Sequence, residues 1–235
     1  MPAQISKKPE SGGLNIKDIY MMKREGLVAV LSGFSGAGKG TIMKHLLEEY
    51  PGRYNLSISA TTRKPRTGEV DGREYFFKTK EEFEQMISEG KFLEHACFNG
   101  NYYGTPLDYV KNLTDQGKDV LLEIEVQGAL QVKKIFPDAV LLFVTPPSAD
   151  ALKERLVGRG TETPEEIANR LSISTRESQL MEKYDYLIVN DDLETAVQDV
   201  HDIIESEALK TLRNKANIEE MRSELKKFAK GEENS

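Results

Sequence analysis

The stretch Leu31–Thr41, LSGFSGAGKGT, follows directly on the apolar run GLVAV and places four glycines, at 33, 36, 38 and 40, within eight positions, with Lys39 among them. Ordering a glycine costs more backbone entropy than ordering any other residue. Four of them after a buried strand therefore call for a reason. The spacing Gly33-x-x-x-x-Gly38-Lys39 is that of a phosphate-binding loop, and its flanks are the ones such a loop requires. LVAVLS before it is a short continuous apolar strand. GTIMKHLLEEY after it carries Ile42, Met43, Leu46, Leu47 and Tyr50 at helical spacing. In that setting glycines let backbone N–H groups of Ser35 to Thr41 turn toward an anion, the helix N-terminus adds partial positive charge, and Lys39 reaches the terminal phosphates. The residue after the lysine is Gly40 rather than a hydroxyl residue, with Thr41 one place later. Direct ligation of Mg²⁺ by a side chain is not expected, save possible help from Thr41.

Working outward, DVLLEIEV (119–126), AVLLFVTPP (139–147) and YDYLIVN (184–190) are further apolar runs of the buried parallel-strand kind, each alternating with helical patterns. The expected class is α/β with a central parallel sheet. Between Leu56 and Val110 the texture changes to short alternating runs broken by KPRTGE and DG, which reads as a separate α+β insertion. Within it Thr79 and Glu82 make a capping box, with Gly90 as the helix stop. Thr163, Pro164 and Glu166 signal a second helix start, after a segment that carries Arg155 and Arg159 and before one that carries Arg170 and Arg176. The divisions are a polar lead-in over 1–22, core over 23–57, insertion over 58–112, core over 113–147, a helical Arg-rich lid over 148–180, core over 181–213, and a charged tail over 214–235 whose end, KKFAKGEENS, reads as frayed.

Composition narrows the classes. Of 235 residues 38% are hydrophobic and 30% charged, and the net charge is −7, so broad attraction to nucleic-acid backbones is not expected. No apolar run approaches membrane-spanning length, and the first twenty residues lack a secretory h-region, so a cytoplasmic protein is expected. The single cysteine, Cys97, reads as a small buried hydrophobe. The three histidines show no zinc spacing and read as packing or surface residues. Asn-Lys-x-Asp, a guanine-binding signature of GTPases, does not occur.

A second anion site is suggested by SATTRKPRTGEVDGREYFF. Arg63 and Arg66 flank a proline turn, and two guanidinium forks suit a phosphate monoester. Tyr75 and Tyr103 offer hydroxyls, although the segment alone would equally make a solvated basic loop.

Taken together, SGFSGAGKGT, SISATTRKPRTGEVDGREYFF, FLEHACFNGNYYGTP, LLEIEVQGA, LVGRGTETPEEIANRL and YLIVNDDL, in that order, resemble the guanylate kinases of the bacterial type over about Met22–Arg213. That resemblance implies a P-loop NTPase core, a GMP-binding insertion and a lid, with ATP and Mg²⁺ as cofactors, GMP and dGMP as acceptors, and a place in purine nucleotide metabolism. It implies that Ser35, Gly36, Ala37, Gly38, Lys39, Gly40, Thr41 and Asn190 meet ATP. It assigns the GMP phosphate to Arg63, Arg66, Tyr75 and Tyr103, and the guanine to Ser59, Glu94, Thr105 and Glu125. Lys39, Arg63, Arg159 and Arg170 would serve the transfer. Glu125 stands where the family commonly has Asp, which ranks it below Glu94. Asn190 and Asp191 resemble the segment beside adenine, although Asp191 with Glu194 would also make an ordinary helix cap. Two rivals are a non-catalytic guanylate-kinase-like module that binds phosphorylated peptides and a kinase for another monophosphate. Retention of Lys39, Arg159 and Arg170 opposes the first, and Glu94 with ATTRKPR opposes the second.

Overall fold

A computed structural model describes residues 24–98, 100–158, 160 and 163–229. The lead-in over 1–22 and Arg159 lie outside the described residues. Strands β1 (Val28–Gly33), β2 (Tyr54–Leu56), β7 (Asp119–Glu123), β8 (Val140–Thr145) and β9 (Tyr186–Val189) form one sheet in the order β2-β7-β1-β8-β9. Every pairing in it is parallel, with Val30 opposite Leu122 on one side and Leu141 on the other.

Successive residues of β1 point to opposite faces. Leu27, Ala29 and Leu31 pack with Ile42, Met43 and Leu46 of α1 (Lys39–Glu49) and with Val197, Val200 and Ile204 of α7 (Leu193–Ala208). Val28 and Val30 pack on the other face with Leu93, Val110, Ala129 and Val132. Val110 belongs to α3 (Leu107–Asp115), and Ala129 and Val132 to α4 (Val126–Ile135). Burial on both faces is why these strands read as unbroken apolar runs. The apolar run 119–126 ends as a strand at Glu123, and Val126 already begins a helix.

The insertion forms a second sheet, in the order β4-β3-β6-β5, from β3 (Ala60–Thr61), β4 (Phe76–Phe77), β5 (Phe92–Phe98) and β6 (Asn101–Pro106). Its small core stacks Phe83, from α2 (Lys80–Ser88), on Phe92 with ring centroids 4.3 Å apart. Leu93 of β5 joins it to the main core. Both capping boxes form: Thr79 accepts from Glu82 N, and Thr163 accepts from Glu166 N at the head of α6 (Pro164–Ser178). With α5 (Ala149–Gly158), α6 makes the helical pair expected of a lid.

Three expectations are corrected. Cys97 is exposed, because β5 lies at the edge of the second sheet. The cap of α7 is Asp192, whose side chain accepts from Thr195 N, not Asp191. The start of the segment expected to fray, Lys226–Ala229, is the last turn of a helix, α8 (Lys215–Ala229). Among the described residues no helix is long and apolar enough to cross a membrane.

A charged node ties the sheet together. Asp119, fully buried, accepts from Arg24 through both oxygens (2.7 and 2.6 Å), from Leu27 N (2.9 Å) and from Arg53. Burial alone pushes the carboxyl up, but Arg24, Arg53 and the Leu27 amide together hold it below the usual aspartate range. Asp119→Ala leaves Arg24, 3% exposed, without its carboxylate. The expected loss, read by denaturant unfolding, is about 3–5 kcal/mol. Because the folded value is the depressed one, the node's contribution is complete above about pH 4, the unfolded value. It declines as the pH falls through the folded value.

Candidate active site

The phosphate-binding loop leaves β1 at the carboxyl edge of the sheet, where β1 lies between β7 and β8. That edge is where open parallel sheets hold their ligands. Gly38 is the N-cap of α1, at φ +94°, with no side-chain cap. A Cβ there would stand 2.4 Å from Asn190 Nδ2. The glycine thus admits both the left-handed turn and the close approach of Asn190. The helix N-terminus is left facing outward without a capping side chain, as an anion site needs.

Three side chains hold this loop. Lys39 Nζ donates to the carbonyls of Gly33 (2.7 Å) and Phe34 (3.2 Å). Asn190, 7% exposed, donates through Nδ2 to the Ala37 carbonyl (2.8 Å), and its own backbone carbonyl accepts from Arg155 of α5 (2.8 Å). Arg170 of α6 donates to Ser35 Oγ (2.8 Å), so α6 reaches the loop. Sequence reasoning put Asn190 beside ATP; the structure directs its amide to the loop backbone.

Two acids missed by the sequence reading lie within electrostatic reach of Lys39. Glu123, the last residue of β7, brings its carboxylate to within 3.4 Å of where a Gly40 Cβ would be. The space that a hydroxyl after Lys39 would use is therefore bounded by this carboxylate. Burial raises the Glu123 carboxyl, Lys39 lowers it, and Glu125 raises it further. Glu177 of α6 is pushed up to about 7, first by burial, then by Glu125, against the opposing influence of Lys39 and Arg176. The signal for Glu123 was present: an acid closing a buried strand beside the loop. For Glu177 there was none.

Across the cleft, β5 and β6 bring Glu94 opposite Thr105. Both are buried, and Thr105 Oγ1 donates to Glu94 Oε1 at 2.7 Å. Glu94 Oε2 lies 3.0 Å from where a Gly128 Cβ would be, so the first turn of α4 approaches the carboxylate. Burial raises the Glu94 carboxyl, the Thr105 hydrogen bonds lower it, and Glu125 raises it. Glu125 itself is exposed at the N-cap of α4 and forms no side-chain cap. A cavity of about 160 Å³ is lined in part by Ser59, Tyr75, Thr105 and Glu123.

The phosphate-site candidates also meet. Tyr75 and Tyr103 lie 6.1 Å apart edge to face, and the Arg63 guanidinium lies 5.3 Å from the Tyr75 ring centroid. Arg63 pairs with Glu69, whose carboxylate also accepts from the Arg66 amide (2.7 Å), while Arg66 is exposed. A larger cavity, about 360 Å³, lies beside Val140 and Tyr186 at the opposite end of β8 and β9. Its charges are paired with one another, Lys133 with Asp185 and Lys210 with Glu207.

The Lys39 loop thus has the exposed Glu123 and the half-buried Glu177 near it, and the Arg63–Arg66 loop holds the half-buried Glu69. A family model described as guanylate kinase matches residues 25–207. Guanylate kinases from a strain of Bacillus cereus and from Bacillus anthracis are each 56% identical to this chain over 187 residues, 80% of this chain and 91% of theirs. The crystal structure of guanylate kinase from Anaplasma phagocytophilum is similar at a TM-score of 0.64 and 34% identity, over 82% of this chain and 92% of that one.

Proposed function

We infer the reaction from a plain premise: the chain belongs to the guanylate kinase family, and it transfers the γ-phosphate of ATP to GMP, giving GDP and ADP. The observation that carries the residue roles is the buried Glu94–Thr105 pair, whose Thr105 shares a cavity with Glu123, the acid beside Gly40.

Guanine presents N1–H and N2–H₂ as adjacent donors, and a carboxylate accepts both. Adenine offers an acceptor at N1 and leaves Glu94 unpaired, which is the kind of mismatch a buried polar site rejects most strongly. In this reading Thr105 holds the Glu94 carboxylate in place, Ser59 and Glu125 complete the base contacts, and Arg63, Arg66, Tyr75 and Tyr103 hold the GMP phosphate. These contacts go to base and phosphate, so dGMP is accepted with GMP.

The loop backbone from Ser35 to Thr41 and Lys39 hold the ATP phosphates, Asn190 fixes the shape of that loop through Ala37, and Arg170 and Arg159 bring positive charge from the lid. Phosphoryl transfer asks mainly for alignment, charge neutralisation and exclusion of water. The acceptor is an ionised phosphate oxygen, so no general base is assigned.

Mg²⁺ fits a site of this kind only in part. Among the described residues no cluster of three or more acids, histidines or cysteines is arranged to hold a metal. The nearest oxygen donors are Thr41, at the start of α1, and Glu123 beside Gly40. In this reading the cation would be held mainly by nucleotide phosphates and water, with these two residues as supports. When bound, it neutralises phosphate charge and orients the oxygens.

The test is stoichiometric. GDP and ADP should form in equal amounts from GMP and ATP with Mg²⁺, and little phosphate should be released when GMP is left out. Nucleotide hydrolysis that does not depend on GMP would contradict the assignment.

A further inference from the structure

Between Arg63 and Val70 the chain makes a tight loop around one side chain, Glu69. Its carboxylate accepts from Arg63 end-on, Nη1 to Oε2 and Nη2 to Oε1, both at 2.9 Å. Oε2 also accepts from the backbone N–H of Arg66 at 2.7 Å, while Glu69 N returns a bond to the Arg66 carbonyl at 3.1 Å. The paired side chains are 16% and 18% exposed. Glu74, the neighbouring acid, is occupied elsewhere, by Arg73 and the Val70 amide.

A guanidinium has five N–H donors. Arg63 directs one Nη1–H to Glu69 and the other to the Lys64 carbonyl (2.9 Å), and one Nη2–H to Glu69. What remains is Nε–H and the second Nη2–H, which point the same way along the side edge of the fork. That edge matches two oxygens of a phosphate. The Tyr103 hydroxyl is also within reach of the guanidinium, and the Tyr75 ring packs on it. A carboxylate that substituted for phosphate would be expected on the side edge and on the tyrosines. Glu69 instead takes the far edge and the loop backbone.

We propose that Glu69 is a positioning residue for acceptor binding: it grips the far edge of Arg63 and pins the backbone at Arg66, so that both arginines face the GMP phosphate before it arrives. This rests on the assignment of Arg63 to that phosphate. The order this imposes is order that GMP need not impose when it binds. Glutamine cannot replace it, because its amide nitrogen would face a guanidinium N–H, donor against donor.

Glu69→Gln is expected to raise KM for GMP about tenfold, with kcat and KM for ATP within about twofold. Calorimetric titration should show the loss for GMP and no loss for guanosine, which lacks the phosphate. In an Arg63→Met background the same change should have little further effect. An unchanged or lowered KM for GMP would overturn the proposal, as would an equal loss for guanosine, which would mark Glu69 as a general support of the fold. The premise has its own test. If Arg63→Met weakens GMP and Glu69→Gln does not, the positioning role alone fails. If the unaltered protein binds GMP no more tightly than guanosine, the phosphate assignment fails and the proposal with it.

Discussion

Lys39→Ala is expected to lower kcat by about a thousandfold or more while leaving the fold in place. In the proposed reading Lys39 is the side chain of the loop that brings full positive charge to the phosphates, on whose oxygens charge builds as the transfer proceeds. In this structure Nζ spans its own loop to the Gly33 and Phe34 carbonyls. Gly33 and Phe34 are both buried, so the carbonyls left without this donor cost about 1–3 kcal/mol of stability. Thermal unfolding and far-ultraviolet circular dichroism check the fold, and initial rates at saturating ATP and GMP check the chemistry. Near-normal turnover would remove the loop from the mechanism. A collapse of stability would mean that the lysine serves the fold instead.

Glu94→Gln carries the second large effect. Glutamine keeps the shape and can still accept from Thr105 Oγ1, so packing against Gly128 and Thr105 survives. Its amide nitrogen, however, meets a guanine donor. The expected loss in kcat/KM for GMP is about 2–4 kcal/mol, with a much smaller loss for AMP. The discriminating quantity is the GMP/AMP ratio, and an unchanged ratio would show that Glu94 does not read the base. The same reading sets the acid limb of the pH profile. Burial raises the Glu94 carboxyl above the ordinary glutamate value, and the ionised form binds guanine. In the unaltered protein kcat/KM for GMP should therefore begin to fall at a higher pH than a free glutamate would give.

The parts of this molecule that were legible in the sequence are those governed by local rules. The Gly33–Thr41 loop was readable because only glycine tolerates its turns and approaches, and Thr79, Thr163 and their glutamates because a capping box has a fixed spacing. Arg63, Tyr75 and Tyr103 stand together, and Glu94 stands opposite Thr105, but no local rule joins Glu94 to Thr105, eleven residues away across a hairpin. The Asp119 node was not legible either, since Arg24, Arg53 and Asp119 meet only once β2 and β7 pair. Glu123 was passed over inside the run 119–126, although an acid closing a buried strand was the signal that marked it. Cys97 was misplaced because a small residue type says little about which side of an edge strand it occupies. The helix over 215–229 was masked by its charges, although Ile218, Met221, Leu225 and Phe228 recur at helical spacing.

The most direct test of the central claim offers GMP, dGMP, AMP, CMP and UMP separately to the purified protein with ATP and Mg²⁺, and measures ADP formation for each. Strong turnover with GMP and dGMP, and little with the other three, is the predicted result. Comparable turnover with AMP, CMP or UMP, or none with GMP in a protein that still binds it, would contradict the account.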